Sequence, residues 1–123
     1  MPTARQLSGR DNEIRAADYL KRHGYRIIER NYRIRMGEID IIAMDQDTLV
    51  FVEVKSKTSS AFGGPKDAVT FQKQRRISKT ALQYLKMMHQ SHVRARFDVV
   101  AITSGPTGDV IELIKNAFAL STY

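Results

Sequence analysis

The chain has 123 residues, 42% of them hydrophobic and none of them cysteine. That suits one compact domain with a single core, excludes disulfides, thiol nucleophiles and thiolate zinc sites, and fits a cytoplasmic location. Lys plus Arg number 20 against 13 Asp plus Glu, a formal charge of +7 that favours a polyanion such as DNA or RNA as partner. Residues 1–8 lack the apolar segment of a secretory signal, and no apolar run approaches the roughly 20 residues of a membrane span, so no membrane association is expected.

Residues 1–8 read as a loose tail and 10–23 as a helix that stops at His23-Gly24. The inward stripe of that helix would be Glu13, Ala16, Ala17 and Leu20, opening with an acid where an apolar residue is expected. Strands follow over 25–30, 32–43 and 48–56, with Asp45 to Thr48 as the last turn between them. Thr58 to Pro65 is small, polar and glycine-rich and reads as a loop. A second helix runs from Val69 or Thr70 to His89, with an apolar stripe of Ile77, Ala81, Tyr84, Leu85 and Met88. Residues 96–103 and 110–114 are two further strands around a turn at 104–108. A strand, a helix and a strand in that order imply a parallel crossover, and the other connections are antiparallel, giving a mixed α/β sheet flanked by helices in a single domain.

Two of the strand segments carry charges where a core strand should have none. They are Gly37-Glu-Ile-Asp-Ile-Ile-Ala43 and Leu49-Val-Phe-Val-Glu-Val-Lys55. An ionised carboxylate in a core costs several kcal/mol unless it is compensated. Because strand side chains alternate, a hairpin centred on Gln46-Asp47 places Asp40 opposite Glu53 and Glu38 opposite Lys55. Opposed side chains have Cβ atoms about 4.5–5.5 Å apart, so the two carboxylates repel unless a cation lies between them. Mg²⁺ or Mn²⁺ would suit such a sparse carboxylate set, with Lys55 on the same face to act on a phosphate or a water. Glu13 would be a further ligand or a nearby acid. The other reading is an ion-pair cluster: a plain Glu38–Lys55 bridge, with Asp40 and Glu53 turned to solvent.

The set Asp40…Glu53-Val54-Lys55 resembles the PD-(D/E)xK nuclease superfamily, whose core is a restriction-endonuclease-like αβββαβ unit. The strings Gly37–Ala43, Phe51–Lys55, Arg30-Asn31-Tyr32, Gly64-Pro65 and Arg96-Phe97-Asp98-Val99-Val100 are similar to those of the YraN-like family of bacterial predicted endonucleases, which resemble archaeal Holliday junction resolvases. The resemblance covers residues 9–119. It implies that Asp40 and Glu53 are metal ligands, Lys55 the catalytic lysine and Glu13 the helix acid, with Lys73 or Gln74 as a polar neighbour on the second helix. It departs at Ile39, which stands where the superfamily has proline, and at Asn12, where glycine is frequent. The implied activity is Mg²⁺- or Mn²⁺-dependent hydrolysis of phosphodiesters in DNA, including branched or structured DNA. Cutting both strands would fit a homodimer.

Lys73, Arg75, Arg76 and Lys79 cluster on the second helix with Lys57 and Lys66 near them in the chain, a set suited to phosphate contact. No base-reading motif is present, so recognition by shape or backbone is expected. His89 and His92 lack a third ligand and read as surface residues, Met87-Met88 as core, and Phe62-Gly-Gly-Pro65 lacks the ending of a phosphate-binding P-loop. The alternative to an enzyme is a non-catalytic nucleic-acid-binding module that keeps the same fold.

Overall fold

A computed structural model describes residues 4–58 and 69–121, with side chains from residue 11 onwards. Most of the predicted glycine-rich loop, and Lys66 with it, lies outside the described residues. Seven elements follow in order: α1 (Ala4–Arg22), β1 (Arg26–Ile34), β2 (Gly37–Asp45), β3 (Thr48–Thr58), α2 (Phe71–Met87), β4 (Ala95–Gly105) and β5 (Gly108–Phe118). The five strands form one sheet in the order β1-β2-β3-β4-β5. Only β3 and β4, joined through α2, are parallel; the other neighbours are antiparallel.

The sheet has a core on each face. Ala16, Ala17 and Leu20 of α1 pack with Ile41, Ala43, Val50, Val52, Val100 and Ile102 on one side. Ile77, Ala81 and Tyr84 of α2 pack with Ile39, Ile42, Leu49, Phe51, Phe97 and Val99 on the other. Both helical stripes therefore face the sheet as their spacing requires. Met87 and Met88 do not: they are 62% and 49% exposed, Met87 as the last residue of α2 and Met88 as its C-cap.

The helix ends follow local chemistry. At the end of α1, Gly24 takes φ 89° and the Tyr25 N–H donates to the Leu20 carbonyl at 3.0 Å, the bond that closes a Schellman cap. The Thr70 hydroxyl caps α2 by accepting from the Lys73 N–H at 3.2 Å. His89, at φ 53°, takes the left-handed position after α2, where glycine is usual. It is exposed, as is His92. At its start α1 differs from the sequence reading, since residues expected in a loose tail are helical from Ala4. Ala4, Arg5, Gln6 and Leu7 are good helix formers, and one interior glycine, Gly9, costs only about 1 kcal/mol.

The first hairpin also differs. The expected break at Asn31 is absorbed into β1, where Asn31 adopts φ 56°, and the turn falls at Arg35-Met36 instead. Tyr32↔Ile39 and Ile34↔Gly37 pair across it. The segment predicted as one strand over 32–43 therefore folds back on itself. Gly37 permits a close approach to α2: a Cβ there would lie 2.5 Å from Thr80 Oγ1 and 3.3 Å from the Arg76 carbonyl oxygen.

At the opposite end of the sheet, buried Asp98 accepts from the Tyr25 hydroxyl at 2.8 Å, Arg96 Nε at 3.0 Å and the Asn116 N–H at 2.9 Å. Arg96 Nη2 also meets Asp45 at 2.6 Å. This fully satisfied network ties the chain after α1 to the end of β2 and to the edge strand β5.

Candidate functional site

The β2–β3 hairpin has the predicted register, from Asp45↔Thr48 to Ile41↔Val52. Regular pairing stops there. Asp40 Oδ2 accepts from the Val54 N–H at 2.8 Å, so a carboxylate replaces a main-chain acceptor in the ladder. The strict alternation of β2 breaks at the same place: Ile39 and Ile42 both join the core beside α2, while Ile41 and Ala43 face α1. As β2 and β3 part, β2 stays paired with β1 down to Gly37. The expected Glu38–Lys55 bridge is for that reason not formed. Glu38 lies opposite Arg33 and pairs with it at 3.1 Å.

Into this opening α1 brings Glu13. One carboxylate oxygen each from Glu13, Glu38 and Asp40 lie within 4.8 Å of one another. Glu53 is beside them, 5% exposed, with Oε1 held by Lys73 Nζ of α2 at 2.5 Å. The electrostatics record this crowding. Burial, and then the charge of Glu53, push Asp40 up to about 8 against the opposing Val54 hydrogen bond, with Glu13 and Glu38 adding to the rise. Burial also raises Glu13, against a hydrogen bond from the Asn31 side chain. Burial raises Glu53 too, opposed by Lys73 and then by Lys55. Burial works against the Lys73 charge, but its hydrogen bond to Glu53 and the surrounding carboxylates outweigh that and raise its pKa.

Asp40 and Glu53 open onto a cleft of about 870 Å³. One wall is the β1–β2 hairpin from Arg33 to Glu38; the other is the start of α2, with Thr70, Gln72, Lys73 and Arg76. Lys55 is half-buried and acts on Glu53 through its charge, but it does not line the cleft. Gln74 turns away: its Nε2 donates to the Val69 carbonyl at 2.9 Å and secures the start of α2. Of the basic residues read from the sequence, Lys73 and Arg76 line the cleft, while Arg75 and Lys79 are exposed outside it. Lys57 belongs to a separate depression of about 480 Å³, with Asp11, Asn12, Arg15 and Asp109. Arg33, Arg35 and Met36 were not expected at the site. Reading a strand break at Asn31 hid the hairpin that presents them.

The donor set suits a hard divalent cation. It consists of three carboxylate oxygens from two elements, α1 and β2, and burial with the neighbouring acids pushes Asp40 towards its neutral form. Glu13, Glu38 and Asp40 could ligate such an ion, and Glu53 could join them if Lys73 released it.

Fold and site together define an α/β protein with a five-stranded mixed sheet, two helices and an acid-lined cleft where two strands part. The model of the family described as Uncharacterised protein family UPF0102 matches residues 12–102, a span that contains all four acids, Lys55 and Lys73. The chain belongs to this YraN-like family. It is 55% identical over 114 residues to a UPF0102 protein of Syntrophus aciditrophicus (strain SB), an alignment that covers 93% of this chain and 90% of that protein. A relative of the same description from Geobacter metallireducens is 52% identical over 113 residues, covering 92% and 93% of the two chains. Another, from Desulfosudis oleivorans, is 48% identical over 118 residues, covering 96% and 94%.

Proposed function

We propose that this protein is a divalent-metal-dependent endonuclease with a restriction-endonuclease-like core, hydrolysing phosphodiester bonds in DNA, with branched or structured DNA among its substrates. The observation that carries the reading is a cleft walled by cationic side chains and lined by Glu38, Asp40 and Glu53, with Glu13 of α1 brought within 4.8 Å of the Glu38 and Asp40 carboxylates. A purely structural ion-pair cluster would pair Asp40 with a cation, yet among the described residues no ion pair reaches it, and burial with its acid neighbours pushes it up to about 8. A pure binder of phosphate would not place carboxylates where the backbone must lie.

Glu13, Glu38 and Asp40 would hold Mg²⁺ or Mn²⁺, which when bound polarises the phosphodiester and acidifies a water. The Val54 N–H fixes one Asp40 oxygen and so orients the other. Lys73, released from Glu53, would meet negative charge on the phosphate, and Lys55 would keep Glu53 ionised and reach towards the same centre. The sheet supplies the rigidity these positions need.

The test is a cleavage panel of duplex, single-stranded and junction DNA, and RNA, with Mg²⁺ or Mn²⁺. Cleavage should fall by at least about a hundredfold in Asp40→Ala and in Lys55→Ala while the fold is retained. A protein that binds no divalent ion and cuts nothing on the panel is not this enzyme. One observation favours the binding-module alternative: Lys73 already neutralises Glu53 without any metal. That reading requires nucleic-acid binding that is unaffected by EDTA and by Lys55→Ala.

A further inference from the structure

The β1–β2 hairpin is a built part of the cleft. Its tip, Arg35-Met36, is a two-residue turn without the Asn-Gly or Asp-Gly that water-facing hairpins favour. Both tip side chains are exposed, Met36 to 50%. The close approach at Gly37 seats the hairpin against α2 at Arg76 and Thr80, where the two walls of the cleft meet. Arg35 on one wall and Arg76 on the other each line the cleft, and neither side chain pairs with a described residue. An isolated surface arginine is ordinary. Two arginines with no acid partner among the described residues, on facing walls of one cleft, suit an external anion.

We propose that the β1–β2 hairpin is a nucleic-acid-binding element, with Arg35 and Arg76 contacting phosphates on either side of the acidic centre. The inference rests on the nuclease reading for what happens at that centre, but the contact itself does not require cleavage. A phosphodiester backbone fits because its charges repeat along a line. It can meet both walls at once and still present an oxygen to a cation held between them. An acidic peptide has carboxylates at irregular reach and would meet the acids of the site head on. Met36, exposed at the same tip and lining the cleft, offers an apolar side chain to a sugar of that backbone. Neither arginine has a base-reading partner in the fold, so recognition is of the backbone.

The experiment is fluorescence anisotropy with a short labelled DNA duplex and the matching single strand, on full-length protein carrying Lys55→Met to suppress turnover, in Mg²⁺. Salt is varied from roughly 50 to 200 mM. Arg35→Ala and Arg76→Ala should each weaken binding about three- to tenfold and lower the salt slope by about one. Arg94→Ala removes the same charge at the far end of the sheet, where Arg94 pairs with Asp47 at 3.5 Å, and should leave the slope unchanged. Thermal melts confirm that all three variants are folded. Equal losses in all three variants, no loss at Arg35 and Arg76, or competition by polyglutamate as strong as by unlabelled DNA would each overturn the proposal. If the Arg35 and Arg76 effects hold but the wild-type protein cuts nothing, the binding element stands and the nuclease reading falls. If the wild type cuts and the arginine variants bind normally, the reverse is true.

Discussion

Lys73 links the two states of the site. Its ammonium stands against a carboxylate that is only 5% exposed, while its own side chain is 45% exposed. A cation so placed keeps a buried acid charged while remaining free to swing out, which a fully buried partner cannot do. Lys73→Met should therefore destabilise the metal-free protein by roughly 1–2 kcal/mol, less than for a fully enclosed pair because half of the lysine is in water. The same variant should gain more from metal than the wild type does, since an ion would supply the charge Glu53 has lost. Urea unfolding in EDTA measures the first effect, and the melting shift on adding Mn²⁺ measures the second. A variant that loses no stability and shows the wild-type metal shift would make the ion pair incidental. Lys55, half-buried and two residues along β3, reinforces Glu53 without touching the cleft, so Lys55→Met should change stability less than Lys73→Met.

At the scale of elements, the placing of the site turns on how the first hairpin meets α2. Gly37→Ala would bring a methyl group 2.5 Å from Thr80 Oγ1 and push the hairpin off the helix. The expected cost is about 1–3 kcal/mol. Thr80→Ala in the same chain should recover part of it, leaving the 3.3 Å approach to the Arg76 carbonyl oxygen as the remainder. A double-mutant cycle by denaturant unfolding reads the coupling, and strict additivity would mean that the contact is not the cause. This hairpin is also where the sequence was least legible. Helix stripes such as Ala16, Ala17 and Leu20, or Ile77, Ala81 and Tyr84, reveal their facing residues through period alone, and the β2–β3 register follows from keeping Phe51 and Ile42 on one face. Period cannot show where a ladder ends. Asp40 takes the Val54 N–H that a main-chain carbonyl would otherwise accept, and that substitution both separates the strands and moves Glu38 from Lys55 to Arg33. Nor does local composition show that Asn31, a good turn residue, will be held in a strand at φ 56° while Arg35-Met36 makes the turn. The acids and Lys55 were visible as candidates because charge in an apolar context is costly, and Lys73 through the family resemblance and its basic neighbours on α2. Arg33 and Arg35 were not, because an arginine in an edge strand or in the turn after it has no cost to explain.

Across the whole molecule, β2 carries two acids whose surroundings act in opposite senses. Asp45, at its end, is held below the usual value of 3.8 by its hydrogen bond with Arg96, despite some burial. Asp40, five residues earlier and roughly 17 Å along the strand, is raised from 3.8 to about 8 by burial and its acid neighbours. The linkage signs follow. A lowered folded pKa means that the stability from Asp45 is complete above about 3.8 and is lost as pH falls through its depressed value. A raised folded pKa means that protonated Asp40 favours the fold most fully below 3.8, and that this contribution drains away as pH climbs to about 8. In EDTA, stability from these two groups should therefore be greatest near pH 4 and decline on either side. A divalent ion bound by Glu13, Glu38 and Asp40 replaces the proton, so saturating Mn²⁺ should flatten the decline above pH 4 and leave the acid limb unchanged. Asp40→Asn should flatten the same limb without metal, and Asp45→Asn should remove only the acid one. Urea unfolding at stepped pH, with EDTA or with Mn²⁺, separates the four curves. If Asp40→Asn keeps the wild-type slope between pH 4 and 8, or Mn²⁺ leaves that slope untouched, then the carboxylates at the opening of β2 and β3 are not an ion-binding set.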